Sequence, residues 1–173
     1  MQLPADCRFR LCDTIDGTPQ PVFVEEGSGG LVSEYFGYDP VTKKFLVVGF
    51  TGNDPGFQIN SLRQRLDTCK KLQHSGIARM FEHGEAPDGG WYYISELVEG
   101  EPLIDYLRRN PDLPKGILGV LLLQLADAVA HLTDYPRLLS ALELNDFTVT
   151  LDRGIFPGVR LSNFGLGRDD QPM

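Results

Sequence analysis

Val159-Arg160-Leu161-Ser162-Asn163-Phe164-Gly165-Leu166 ends an alternating run with a lone asparagine and a Phe-Gly pair. Val159 and Leu161 are apolar at every second position, the period of a half-buried strand. Upstream, Phe147, Val149 and Leu151 alternate in the same way, and Asp152-Arg153-Gly154 supplies turn residues between the two runs. The segment from Asp146 onward is therefore predicted to be a β-hairpin.

Before the hairpin the pattern is helical. Pro102–Arg109 reads as a short helix closed by Asn110-Pro111, and a longer helix is predicted from about Pro114 to Thr133. Its Leu118, Leu121, Leu122, Leu125, Val129 and Leu132 form one stripe, while Ile117, Val120, Leu123, Ala126 and Ala130 cover much of the rest. A helix apolar over most of its circumference is expected to be buried on most sides. Before Gly100 the order is different: strands near 21–26, 31–38 and 45–48, a helix from a Ser61 N-cap through Leu72, then strands near 78–83 and 91–97. Leu62, Leu66, Cys69 and Leu72 make the apolar stripe of that helix. Residues 1–17 read as an irregular lead-in, with Pro4 and Gly17 breaking any period.

Composition narrows the function classes. The 173 residues carry a formal net charge of -8, which argues against nucleic acid as a partner, because phosphate contacts need clustered Lys and Arg. The most apolar segment, Ile117 to Leu132, is interrupted by Gln124, Asp127 and His131 and is too short to span a bilayer, so no membrane segment is expected within the chain. No signal peptide is expected at the N-terminus, which lacks a basic start and an apolar stretch. The three cysteines, Cys7, Cys12 and Cys69, form no metal-ligand spacing and no disulfide framework, and a reducing, cytoplasmic setting is expected.

The landmarks fall in an order and spacing that resemble the eukaryotic-type Ser/Thr protein kinases. Glu26-Gly27-Ser28-Gly29-Gly30 resembles the glycine-rich loop, and Leu46-Val47-Val48 the Val-Ala-Ile-Lys strand. Leu72-Gln73-His74-Ser75-Gly76-Ile77 is similar to the segment after the αC helix, Ser95-Glu96-Leu97-Val98-Glu99-Gly100 to the hinge, and Val159–Leu166 to the strand that runs into Asp-Phe-Gly. The resemblance implies an α+β, protein-kinase-like fold. It comprises a five-stranded antiparallel small lobe with an αC helix over 18–100, and a truncated, mainly helical large lobe over 101–173 that stops just after the Asp-Phe-Gly position.

The family's chemistry can be compared position by position. Gly27 and Gly29 match the first two glycines of the loop, but Val32 falls at the third and Glu34 at the valine that roofs the adenine. The lysine that holds the α- and β-phosphates falls on Gly49, and the αC glutamate that pairs with it on Arg65. With Asn145 aligned to the catalytic-loop asparagine, Leu138-Leu139-Ser140 stand for His-Arg-Asp, and a serine cannot replace the catalytic carboxylate. Asn163-Phe164-Gly165 stands for Asp-Phe-Gly, with a neutral carbonyl in place of the metal-binding carboxylate.

No catalytic residue, no metal site and no ATP or Mg²⁺ cofactor are therefore expected. The chain is read as a pseudokinase that acts as a protein-interaction or regulatory module. A metal-independent nucleotide-sensing domain is the alternative from another class, and an atypical active kinase stands last. Arg65 is expected on an exposed, charged helix face, Asn145 and Asn163 as polar residues satisfying a loop backbone, and His74 in a structural role. The long helix is expected to offer an interface to a homodimer or protein partner, centred on Ile117, Val120 and Leu123 or the neighbouring side.

Overall fold

The computed structural model describes residues 2–13, 20, 32–51, 59–151 and 157–166. The chain divides into two compact units, one of residues up to Lys70 with Met80–Leu97, the other of Lys71–Arg79 with Val98–Leu166. The expected single boundary at residue 100 is thus corrected: Lys71–Arg79 goes with the second unit. The cause is backbone pairing, since Ala78 N–H donates to Leu161 O at 2.7 Å and Leu161 N–H donates to Gly76 O at 2.8 Å.

The first unit is built on a five-stranded antiparallel sheet of β1 (Arg10–Leu11), β2 (Val32–Asp39), β3 (Lys44–Thr51), β4 (Met80–Glu85) and β5 (Trp91–Glu96), in the order β1-β2-β3-β5-β4. β3 is paired on both sides, and it reads as a near-continuous apolar run because both its faces are covered. Its even residues Leu46, Val48 and Phe50 form one buried cluster with Phe9, Ala86, Tyr92 and Ile94. Its odd residues project from the opposite face. That face carries Gly49 opposite Tyr93 and Val47 opposite Ser95. Helix α1 (Ile59–Cys69) buries the expected stripe of Leu62, Leu66 and Cys69, with Leu72 buried just beyond it. Ser61 lies inside this helix and does not cap it, since the helix begins at Ile59.

The lead-in departs most from expectation. It supplies strand β1, paired to β2 through Arg10–Tyr38 and Leu11–Gly37. Phe9 is buried, with Leu3, Cys7 and Leu11 packed on the same cluster. Proline and glycine punctuation masked these apolar residues, which recur at no regular period but find a ready-made apolar sheet face. The strand expected at 21–26 lies outside the described residues, as do Gly27 and Gly29.

The second unit holds a three-stranded sheet of β6 (Glu101–Pro102), β7 (Phe147–Thr150) and β8 (Gly158–Leu161), where β7 and β8 are the two arms of the expected hairpin. Gly100 comes so close to β7 that a Cβ there would lie 2.1 Å from the Val149 carbonyl oxygen, which no side chain could tolerate. Helices α2 (Leu103–Arg109), α3 (Lys115–His131) and α4 (Pro136–Leu139) complete the unit. Asn110 stops α2, its side-chain amide donating to Tyr106 O at 2.8 Å. α3 is tied to β8 by the Val159 N–H, which donates to Gln124 Oε1 at 2.7 Å. The expectation that α3 is buried on most sides is corrected: only Leu121 and Ala128 within it are buried, and one face is open to solvent. Among the described residues no helix is long and apolar enough to cross a membrane.

Candidate functional site

The positions that the resemblance marks for nucleotide chemistry lie in both units, and each group has its own geometry. In the first unit Glu34 on β2, Gly49 on β3 and Tyr93 on β5 sit side by side across three strands, in the register Glu34–Gly49–Tyr93. Glycine inside a strand marks a place where another group comes close. Here that group is the Tyr93 ring, which would lie 2.2 Å from a Cβ at position 49. The Tyr93 hydroxyl donates to Glu34 Oε1. The space beside Gly49, the position that the resemblance sets against the family's lysine, is thus filled by an aromatic ring whose polar end is held by a carboxylate.

Within this cluster Tyr93 is buried and Glu34 half-buried. Burial raises the Glu34 carboxyl above its ordinary value, against the lowering effect of the Tyr93 hydrogen bond. Tyr93 is pushed well above the ordinary tyrosine range, first by burial and then by the Glu34 charge and hydrogen bond. Cys69 of α1 is near enough to add to that rise, and its own thiol is pushed up to about 12 by burial. The nearby Arg65 charge opposes the Cys69 shift.

Arg65 itself is 8% exposed, which corrects the expectation of an exposed residue. The helical period explains it: position 65 is three residues past Leu62 and four before Cys69, on the buried side of α1. Burial pulls its guanidinium below the ordinary arginine range. Val32 at the start of β2 is half-buried.

In the second unit the residues preceding β7 form a tight loop. Ser140 caps α4, its hydroxyl donating to Arg137 O at 3.2 Å, and it takes part in the turn rather than in a reactive group. Asn163 Oδ1 accepts the Gly165 N–H at 3.0 Å, the backbone role expected of it. Gly165 has φ +63, and a Cβ there would lie 2.8 Å from Ala141 O, so only glycine fits this turn. Phe164 between them is buried.

Asn145 does not satisfy the loop as expected: it is exposed, and its neighbour Asp146 does the work. Asp146 is fully buried and accepts the Glu143 N–H at 2.7 Å through Oδ2. Its backbone carbonyl accepts the N–H groups of Ser162 at 2.9 Å and Asn163 at 3.1 Å. Glu143 and Asp146 cap each other across the single 3₁₀ turn Leu144–Asp146. The signal was in the sequence, an acidic pair three residues apart ahead of an apolar alternation.

His74 has the expected structural role. Its Nδ1 accepts the Gly76 N–H at 3.1 Å, its Nε2 lies 3.1 Å from Asp127 Oδ2, and its ring stacks on His131 at 4.9 Å. Together these contacts fasten the segment Lys71–Arg79 to α3. Among the described residues no group of three or more His, Cys, Asp or Glu side chains is placed to hold a metal ion.

The sheet with α1, the hinge-like glycine and the hairpin entering Asn163-Phe164-Gly165 together define a protein-kinase fold. The solved structure of Rad53 residues 1–466 in complex with AMP-PNP matches 92% of this chain and 38% of its own, with a TM-score of 0.69 and 18% identity. The sequence is likewise similar to that of Ser/Thr protein kinases. It is 29% identical over 110 residues to the Bacillus subtilis serine/threonine-protein kinase PrkC, covering 61% of this chain. It is 26% identical over 109 residues to the mouse testis-specific serine/threonine-protein kinase 3, covering 62% of this chain. These matches span 16% of the bacterial kinase and 41% of the mouse kinase. No protein-family model matches the chain.

Proposed function

We propose that this chain is a catalytically silent, protein-kinase-like domain that acts as an interaction or regulatory module. The observation that carries this reading is the occupation of position 49. Tyr93 fills the space beside Gly49 and Glu34 holds its hydroxyl, so the group at the phosphate-anchoring position is acidic where a cation is required. A half-buried carboxylate there repels the polyphosphate it would have to hold.

The loop before β7 supports the same reading. Taking buried Asp146, not exposed Asn145, as the residue that leads into β7 moves the register by one and sets Ala141 at the catalytic aspartate. Neither serine nor alanine there can accept a proton from a substrate hydroxyl. Asp146 is a carboxylate, but it is committed to its own turn.

Thermal melting with Mg²⁺ and ATP, alongside incubation with labelled ATP, tests the proposal. A ligand at ten times its Kd stabilises by about 1.4 kcal/mol, so millimolar nucleotide exposes even weak binding. The expected result is no shift and no incorporated label. Label incorporation abolished by Asn163→Ala would overturn the reading. A metal-independent shift without label would favour nucleotide sensing.

A further inference from the structure

We infer that His83 is a proton-sensitive latch on α1: its neutral ring fastens the outer edge of the helix to the sheet, and protonation releases that edge. Such a latch regulates α1 whether or not the chain is catalytically silent. α1 carries two stripes. Leu62, Leu66 and Cys69 form the inner one and are buried. Arg63, Asp67 and Lys70, spaced by four and three residues, form the outer one and are exposed.

Two contacts tie the outer stripe down. The Arg63 guanidinium lies 5.7 Å from the centre of the Trp91 ring on β5, and Asp67 Oδ1 lies 3.2 Å from His83 Nε2 on β4. The His83 and Trp91 rings are themselves 6.1 Å apart, so the two contacts form one seam. Nε2 faces a carboxylate, so in the neutral ring it carries the proton and donates it. Nδ1 is buried and has no hydrogen-bond partner among the described residues. The neutral ring leaves only a lone pair there. A protonated ring would bury a charged N–H with nothing to accept it, which costs more.

The charges around the ring do not offset this. Those near enough to act on it are Asp67, Lys70 and Arg63, all from α1. Asp67 favours the proton, but its side chain is 52% exposed, against 10% for His83, and its pull is screened. Lys70 and Arg63 oppose the proton. From β5, Tyr93 stands opposite His83 in register, and on β4 Glu85 is two residues further on and exposed. Burial prevails and holds the imidazole below the ordinary histidine range. Where the edge of α1 lifts, Nδ1 meets water and the ring takes its proton more easily. The closed seam is therefore favoured most above about pH 6.5, the ordinary value, and loses ground as pH falls from there toward the lowered value.

Trp91 is the chain's only tryptophan, so the fluorescence of the 173-residue chain reads the seam directly. Between about pH 8 and pH 5 it should show one transition, with its midpoint below about 6.5. Hydrogen exchange of the α1 amides, corrected for the intrinsic effect of pH, should rise over the same range. One proton limits that rise to about tenfold per pH unit, and exchange in β3 should stay level. His83→Gln keeps a donor for Asp67 but takes up no proton, and it should abolish both changes. Asp67→Asn should move the midpoint down and Lys70→Gln should move it up; if His83→Gln fails to fold, this opposed pair decides. A wild-type chain that shows neither change overturns the inference. So does a transition that survives in His83→Gln, or a midpoint that neither Asp67→Asn nor Lys70→Gln moves in its stated direction. Phosphate transfer by the chain would overturn the proposed function and leave the latch standing.

Discussion

Removing one oxygen tests whether Tyr93 and Glu34 form a coupled plug. Tyr93→Phe keeps the ring against Gly49 and deletes only the hydroxyl that Glu34 binds. A hydrogen bond to a charged group contributes about 1.5–3 kcal/mol. Glu34 is only half-buried by surface area, so water can replace part of that bond, and about 1–2 kcal/mol is the expected loss for Tyr93→Phe. Glu34→Gln should behave differently, because burial raises the Glu34 carboxyl in the folded chain. A carboxyl raised on folding binds more protons folded than unfolded, so it takes away stability as pH rises from its ordinary value, about 4.3, through its raised value. The glutamine variant should therefore gain on wild type at neutral pH and lose that gain in mild acid. Urea unfolding of both single variants and the double variant at pH 5 and pH 7 measures the coupling. A coupling below about 0.3 kcal/mol, within the additivity of independent sites, would refute the plug.

Three further outcomes are expected. Phe9→Ala should cost about 3 kcal/mol, near the low end for phenylalanine because a terminal segment can settle into the space, and should lower Tm by about 6–12 °C; a shift under 2 °C, well below that range, would remove the lead-in from the core. The Arg8 guanidinium, the Val41 N–H and the Thr42 hydroxyl hold Asp39 well below the ordinary carboxylate range. Its contribution is present above about pH 4 and is lost as pH falls further, so Asp39→Asn should flatten the acid limb of a Tm-against-pH curve. Gly100→Ala would place a Cβ 2.1 Å from the Val149 carbonyl oxygen, and it should lower the urea midpoint more than Gly84→Ala, whose nearest neighbour is the Tyr92 ring at 3.2 Å.

Periodicity and spacing alone determined much of this protein. The alternation around Val159 and Leu161 marked the hairpin, the Leu62-Leu66-Cys69 spacing marked α1, and the run Leu46-Val47-Val48 marked the central strand. These signals are local: each needs only its own segment's pattern of burial to be read. Gly49 and Asn163 also stood out by residue type, because the chemistry of the resembling family needs charge at those places.

Tertiary structure decided what depends on distant neighbours. That Tyr93 fills the space at Gly49 follows from β5 lying beside β3, with 43 residues of chain between the two positions. That Phe9 is core follows from an apolar sheet face that an irregular segment can cover, a contact with no period to betray it. Asp146 takes the role expected of Asn145 because a one-residue shift in the last turn before β7 decides which side chain points inward. α3 reads as uniformly apolar in sequence. Only the placement of β8 and the segment Lys71–Arg79 against one side of it shows which residues are left for water, since a helix's own composition does not say which of its apolar faces finds a neighbour.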